Sequence, residues 1–143
     1  MIAEKTITLT VIRDGNEKKT DVRMRYCAAA EQGFESLSGK SINVFSSTPT
    51  AWDGDGKPTA FDPPTANTQD YLALAVAAII SAYSRTNEEP PVTMDDILYD
   101  LSPSEISELM TTVAVMRIEW YTVPDVVKPE MKPDGKGKKQ KNV

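Results

Sequence analysis

Few side chains in this sequence are spaced as chemistry requires. Histidine is absent and cysteine occurs once, at Cys27. General acid–base and nucleophilic designs at neutral pH lean on histidine, so Ser-His-Asp and Cys-His arrangements are excluded. Zinc needs Cys and His in clusters, which a lone cysteine does not supply. No glycine-rich phosphate loop follows a strand. The run Asp53-Gly54-Asp55-Gly56-Lys57 superficially resembles a calcium loop. An EF-hand, however, wants Asp or Asn where Lys57 stands and a glutamate where Pro64 stands, so the run reads as an exposed turn. Asp95 and Asp96 are sequence neighbours that diverge on a helix, and they suit a helix N-terminus better than a catalytic pair. Cys27, beside three alanines, reads as a small buried hydrophobe. The expectation is a protein that is not an enzyme, with no cofactor and no metal.

Binding is the remaining class. The proline- and glycine-rich stretch 46–67 carries Trp52 and Phe61. These aromatics either pin the stretch onto the body or serve as exposed anchors for a partner, because aromatics dominate interface hot spots. Near the end of the regular sequence, Val115, Ile118 and Tyr121 form an apolar stripe beside Val113, Met116 and Trp120. One stripe faces the core. The second is either covered by other elements or contacts a second copy of the chain, as in a homo-oligomer, or a partner helix.

Composition bounds what such a partner is. With 143 residues, 40% hydrophobic and 26% charged, the chain suits one globular domain that buries roughly two-thirds of its surface. Six lysines against Asp125, Glu130 and Asp134 give the last 19 residues a charge of +3. With −5 overall, −8 is left on residues 1–124. An acidic body repels phosphates, so nucleic acid is not an expected partner. The most apolar stretch, Tyr71 to Tyr83, is shorter than the ~20 residues of a membrane span. The charged, alternating N-terminus lacks the apolar run of a signal peptide, and the single cysteine fits a reducing setting. A cytoplasmic protein with no membrane partner is expected.

The elements that must position these residues follow from periodicity. Ile7, Leu9 and Val11 alternate with Thr6, Thr8 and Thr10 to give a half-buried strand, and Asp14-Gly15-Asn16 supplies a turn. A second strand at about 19–26 turns Val22, Met24 and Tyr26 inward. A helix at about 27–38 places Tyr26, Ala30, Phe34 and Leu37 toward this hairpin, and Gly39 is its left-handed cap. Ile42–Phe45 is a third short strand or a buried connection. Residues 46–67 show no periodicity and read as a Pro/Gly-rich loop. Thr68 caps an apolar central helix to about Arg85. Thr93 caps a short helix burying Ile97, Leu98 and Leu101, and Ser102-Pro103-Ser104-Glu105 opens the last helix with a capping box. That helix buries Ile106, Leu109, Met110, Val113, Met116 and Trp120 and ends at Pro124. The expected fold is α+β: an N-terminal β-hairpin packed on a mainly α-helical, four-helix body in one domain, 1–124. The Lys-rich tail 125–143 reads as disordered.

Three segments carry a resemblance. These are Phe34-Glu35-Ser36-Leu37-Ser38-Gly39-Lys40-Ser41-Ile42, the loop Thr86 to Pro91 after the apolar helix, and Val92-Thr93-Met94-Asp95-Asp96-Ile97-Leu98. In this order the chain resembles the tail assembly chaperones of long-tailed bacteriophages and prophages over residues 6–45 and 68–122. The stretch 46–67 is long for that family. The resemblance implies a protein-binding role during virion assembly in the bacterial cytoplasm. Such a chaperone binds the tape-measure protein, keeps its apolar helices soluble and recruits the tail-tube protein. It carries no catalytic residues. The rival reading is a structural phage tail or head–tail connector subunit.

Overall fold

The computed structural model describes residues 3–122, so the expectation for the 125–143 tail lies outside the described residues. The fold is α+β, with two antiparallel strand pairs and four helices. Strands β1 (Ala3–Arg13) and β2 (Asn16–Tyr26) pair from Ala3↔Tyr26 to Arg13↔Asn16. Their two-residue connection puts Asp14 at φ 55° and Gly15 at φ 77°. Positive φ at both positions is the type I′ geometry that matches the twist of paired strands. Ile7, Leu9, Val11, Val22, Met24 and Tyr26 are buried on one face. The other face is polar, with the Thr8 hydroxyl donating to Asp21 at 2.8 Å.

Helices cover the apolar face. Helix α1 (Ala28–Ser38) buries Ala30 and Phe34 and ends at Gly39, whose φ of 72° is the expected left-handed cap. Gly33 lies against helix α2 (Thr68–Ser84) so closely that an added Cβ would stand 3.2 Å from the Ala77 Cβ. This close approach explains a glycine within a helix. Leu37, expected to face the hairpin, is instead half exposed. Helix α1 leans on α2 through Gly33, which leaves Leu37 at the margin of the contact. Ile42–Phe45 forms a 3₁₀ turn rather than a third strand, capped by Ser41. Phe45 is buried between Phe34 and Tyr71, with ring centroids at 4.9 and 5.0 Å in edge-on geometry.

The stretch 46–67 departs most from expectation. Strands β3 (Thr48–Trp52) and β4 (Pro58–Asp62) pair antiparallel with irregular register. The Asp53 carboxylate organises the turn by accepting the backbone N–H of Asp55 at 2.8 Å and of Lys57 at 3.0 Å. All of β4 is exposed. Since neither face of this ribbon is buried in the body, no apolar alternation marks it in the sequence.

Helix α2 (Thr68–Ser84) is the centre of the core, with twelve of its residues buried. Its cap is Asn67 rather than Thr68, in a reciprocal capping box with Asp70. Asp70 is itself buried and pairs with Lys40 at 3.0 Å. Helix α3 (Met94–Asp100) has Thr93 and Asp96 as its capping box, and Arg13 grips Asp96 through two hydrogen bonds of 2.9 and 3.0 Å. Only Ile97 of α3 is fully buried; Leu98 is half exposed and Leu101 partly buried. A seven-residue helix presents too little surface to bury three positions. Helix α4 (Pro103–Thr122) opens on Ser102 and Glu105, whose side chains each accept the other's backbone N–H. Glu105 also accepts the Thr10 N–H at 2.7 Å, tying α4 to the free edge of β1.

Candidate functional site

The second half of α4 carries two apolar stripes with different fates. Leu109, Val113 and Met116 have no exposed surface, and Trp120 lies over Tyr26 at 5.6 Å. On the adjacent face Val115 is 40% exposed, Ile118 60% and Tyr121 53%. Steps of three residues align these side chains along one side of the helix. Thr111 and Ala114 lie on the same side and, with Tyr71 and Met110, line a shallow depression of about 210 Å³. Neither the β1–β2 hairpin nor α2 covers this stripe.

Tyr121 is fixed rather than free. Its hydroxyl donates to Glu31 at 2.6 Å, and the Tyr26 hydroxyl donates to the same oxygen at 2.8 Å. Burial, and then the Glu31 carboxylate, raise the pKa of both phenols above the ordinary tyrosine value. Arg117 completes the cluster, with its guanidinium 4.7 Å from the Tyr121 ring centre and 4.0 Å from Glu31. Two shared protons and one cation hold the Glu31 carboxylate, so the end of α4 is set on the start of α1. An interaction surface gains from such fixing, because a pre-ordered side chain loses less entropy on binding.

Trp52 and Phe61 are 58% and 55% exposed on the β3–β4 ribbon. They do not pin this segment to the body. They are exposed aromatics on an element separate from α4.

A third feature gave no signal in the sequence. A groove of about 590 Å³ runs along α1, from Ala28 to Leu37, against the second half of α2. Gly33 and Ala77 lie along it, Leu37 and Ile80 flank it, and Arg25 and Arg85 stand at its rim. Cys27 lines it as well and is half-buried rather than fully enclosed. Its sulfur is 3.2 Å from the Ser81 hydroxyl. Burial pushes the thiol pKa up, but Ser81 and the N–H groups of Ala30 and Ala29 outweigh it, so the net shift is downward. The signals at Leu37 and Ile80 pointed to the core, and only the packing of two helices shows them as walls of an opening.

Asp53 serves the β3–β4 turn and Asp96 serves a cap and the Arg13 pair. Among the described residues no helix is long and apolar enough to cross a membrane. Comparison with protein families, with curated proteins and with solved structures finds no match.

Proposed function

We propose that this chain is a non-enzymatic protein-binding module of the phage tail assembly chaperone kind, working in the bacterial cytoplasm. It holds apolar helices of a tape-measure protein in solution and brings tail-tube subunits to them. The observation that supports this reading is the contiguous exposed stripe Val115, Ile118 and Tyr121 on α4. Exposed apolar surface at i, i+3 and i+6 suits a partner helix laid alongside. Its neighbour at the Tyr71–Ala114 depression gives a side chain of that helix somewhere to sit.

The test is co-expression with the product of a very long, coiled-coil-rich reading frame just downstream of the gene. The wild-type chain should keep that product soluble and co-purify with it. The double variant Val115→Ser/Ile118→Ser should lose the complex while its Tm stays within about 2 °C, as expected for exposed positions outside the Glu31 cluster. A double variant that keeps the complex, or absence of any such frame, would remove the support.

A further inference from the structure

Two surfaces of this chain lack a partner among the described residues, and they are complementary. The first is the β3–β4 ribbon. A two-stranded hairpin is at best marginally stable without a surface to pack on. Here β3 and β4 pair only with each other, so both outer edges are open, and they make no extensive contact with any helix. The ribbon is joined to the body at its base, where the Val44 carbonyl accepts the N–H of Thr65 and of Ala66, each at 3.0 Å. It presents Trp52 and Phe61 to solvent and carries Asp53, Asp55 and Asp62 against Lys57 alone. It is an acidic arm with two aromatic anchors.

The second is the α1–α2 groove. Its walls are the exposed aliphatic side chains Leu37 and Ile80, and its rim is the pair Arg25 and Arg85, with no acidic residue in the lining. Arg25 has only a long 3.7 Å contact to Glu4, and Arg85 has no ion-pair partner among the described residues. The groove is thus apolar inside and cationic at its edge, the inverse of the arm in charge and its match in polarity.

The base of the arm and the Ile80–Arg85 part of the groove are separated along α2. The arm leaves the body just before Thr68, at the start of α2, whereas the groove flanks Ile80 to Arg85. At about 1.5 Å per helical residue these points are ~18–25 Å apart along α2. The arm does not fold back over that distance in the structure. We propose that the arm of one copy docks in the α1–α2 groove of a second copy. Trp52 and Phe61 cover Leu37 and Ile80, and the three aspartates face Arg25 and Arg85. Each copy then offers one arm and one groove. The contact is head-to-tail, so association continues past a dimer unless the rotation closes a ring.

Cys27 gives a direct readout, because it lines the groove and is the only thiol in the chain. In the full chain its alkylation by iodoacetamide should slow as protein concentration rises, in step with an increasing mass in sedimentation equilibrium. Trp52→Ser/Phe61→Ser should remain monomeric and alkylate at a concentration-independent rate, with an unchanged melting curve. Each aromatic anchor should be worth about 30-fold in affinity. Arg85→Glu should weaken association and Arg85→Lys should largely restore it. A mixture of Trp52→Ser/Phe61→Ser with Arg85→Glu/Ile80→Asp pairs one intact groove with one intact arm, and should stop at a heterodimer. If Ile80→Asp unfolds the helix, Arg85→Glu alone serves in the mixture. A wild-type chain that is monomeric from micromolar to millimolar concentration would overturn the proposal. So would association that survives loss of both aromatics, or Cys27 protection independent of concentration, which would indicate a segment of the same chain.

Discussion

Glu105 does two jobs with one carboxylate, and removing it should cost more than losing a cap. Its side chain accepts the Ser102 N–H at 3.1 Å, closing the capping box of α4, and accepts the Thr10 N–H of β1 at 2.7 Å. Loss of a capping interaction costs about 1 kcal/mol. A hydrogen bond to a charged group is worth about 1.5 kcal/mol at the low end of its range, appropriate for a site that water reaches in part. Glu105→Ala should therefore destabilise by about 2–3 kcal/mol at neutral pH, against about 1 kcal/mol for Ser102→Ala. Because the two share one capping box, the double variant should cost less than the sum. Protonation supplies a second check. Partial burial pushes the Glu105 carboxyl up, but hydrogen bonds from Ser102 and Thr10 outweigh it and hold the pKa below its ordinary value. A depressed folded-state pKa contributes stability that is complete above the unfolded value and disappears as pH falls through the folded one. The stability gap between wild type and Glu105→Gln should accordingly narrow as the solution is acidified through the carboxylate range. Urea melts across that range measure both effects. A Glu105→Ala variant within about 0.5 kcal/mol of wild type would refute the claim that this side chain joins α4 to the edge of β1.

Two further outcomes follow from packing. Leu74→Ala and Ile79→Ala remove fully buried side chains of α2 and should each cost about 2–5 kcal/mol in denaturant melts, whereas Tyr99→Ala, at 81% exposure, should change stability by less than about 0.5 kcal/mol. At Gly33, the roughly 1 kcal/mol of helix propensity gained by alanine is opposed by the 3.2 Å approach to Ala77. Gly33→Ala should thus be nearly neutral, while Gly33→Val, branched at the crowded atom, should cost about 1–3 kcal/mol.

What the sequence made legible was what burial had imprinted on it. The β1–β2 hairpin shows as an alternation because one face is covered by helices, and its Asp14-Gly15 turn shows because positive φ restricts residue choice. The boxes at Thr93 and Ser102 are visible because capping is local. The β3–β4 ribbon was not visible, since none of its residues is fully buried and no apolar alternation is required of it. Leu37 and Leu98 share the periodicity of their buried neighbours, yet periodicity says which residues share a face and not how wide the cover is. The same limit applies to the α4 stripe. Spacing identified Val115, Ile118 and Tyr121 as a set, but their exposure depends on how far the hairpin and α2 reach. The α1–α2 groove had no signature, because small residues far apart in sequence become a cavity only when two helices lean together.

The bond from Thr10 to Glu105 also sets a timetable. These residues are 95 positions apart. A ribosome adding roughly 5–20 residues per second needs about 5–20 s to cover that distance, whereas a hairpin closes in about 1–10 μs. The first strand and its turn are thus complete long before the last helix exists. Through that interval α2, once it emerges, packs on β2, while the β1 side of the face, with Ile7, Leu9 and Val11, waits for α3 and α4. The free edge of β1 stays open until Glu105 leaves the exit tunnel. The fold is closed by the last of the described elements to be made, so a chain stalled before it would expose both an apolar sheet face and an unpaired strand edge at once.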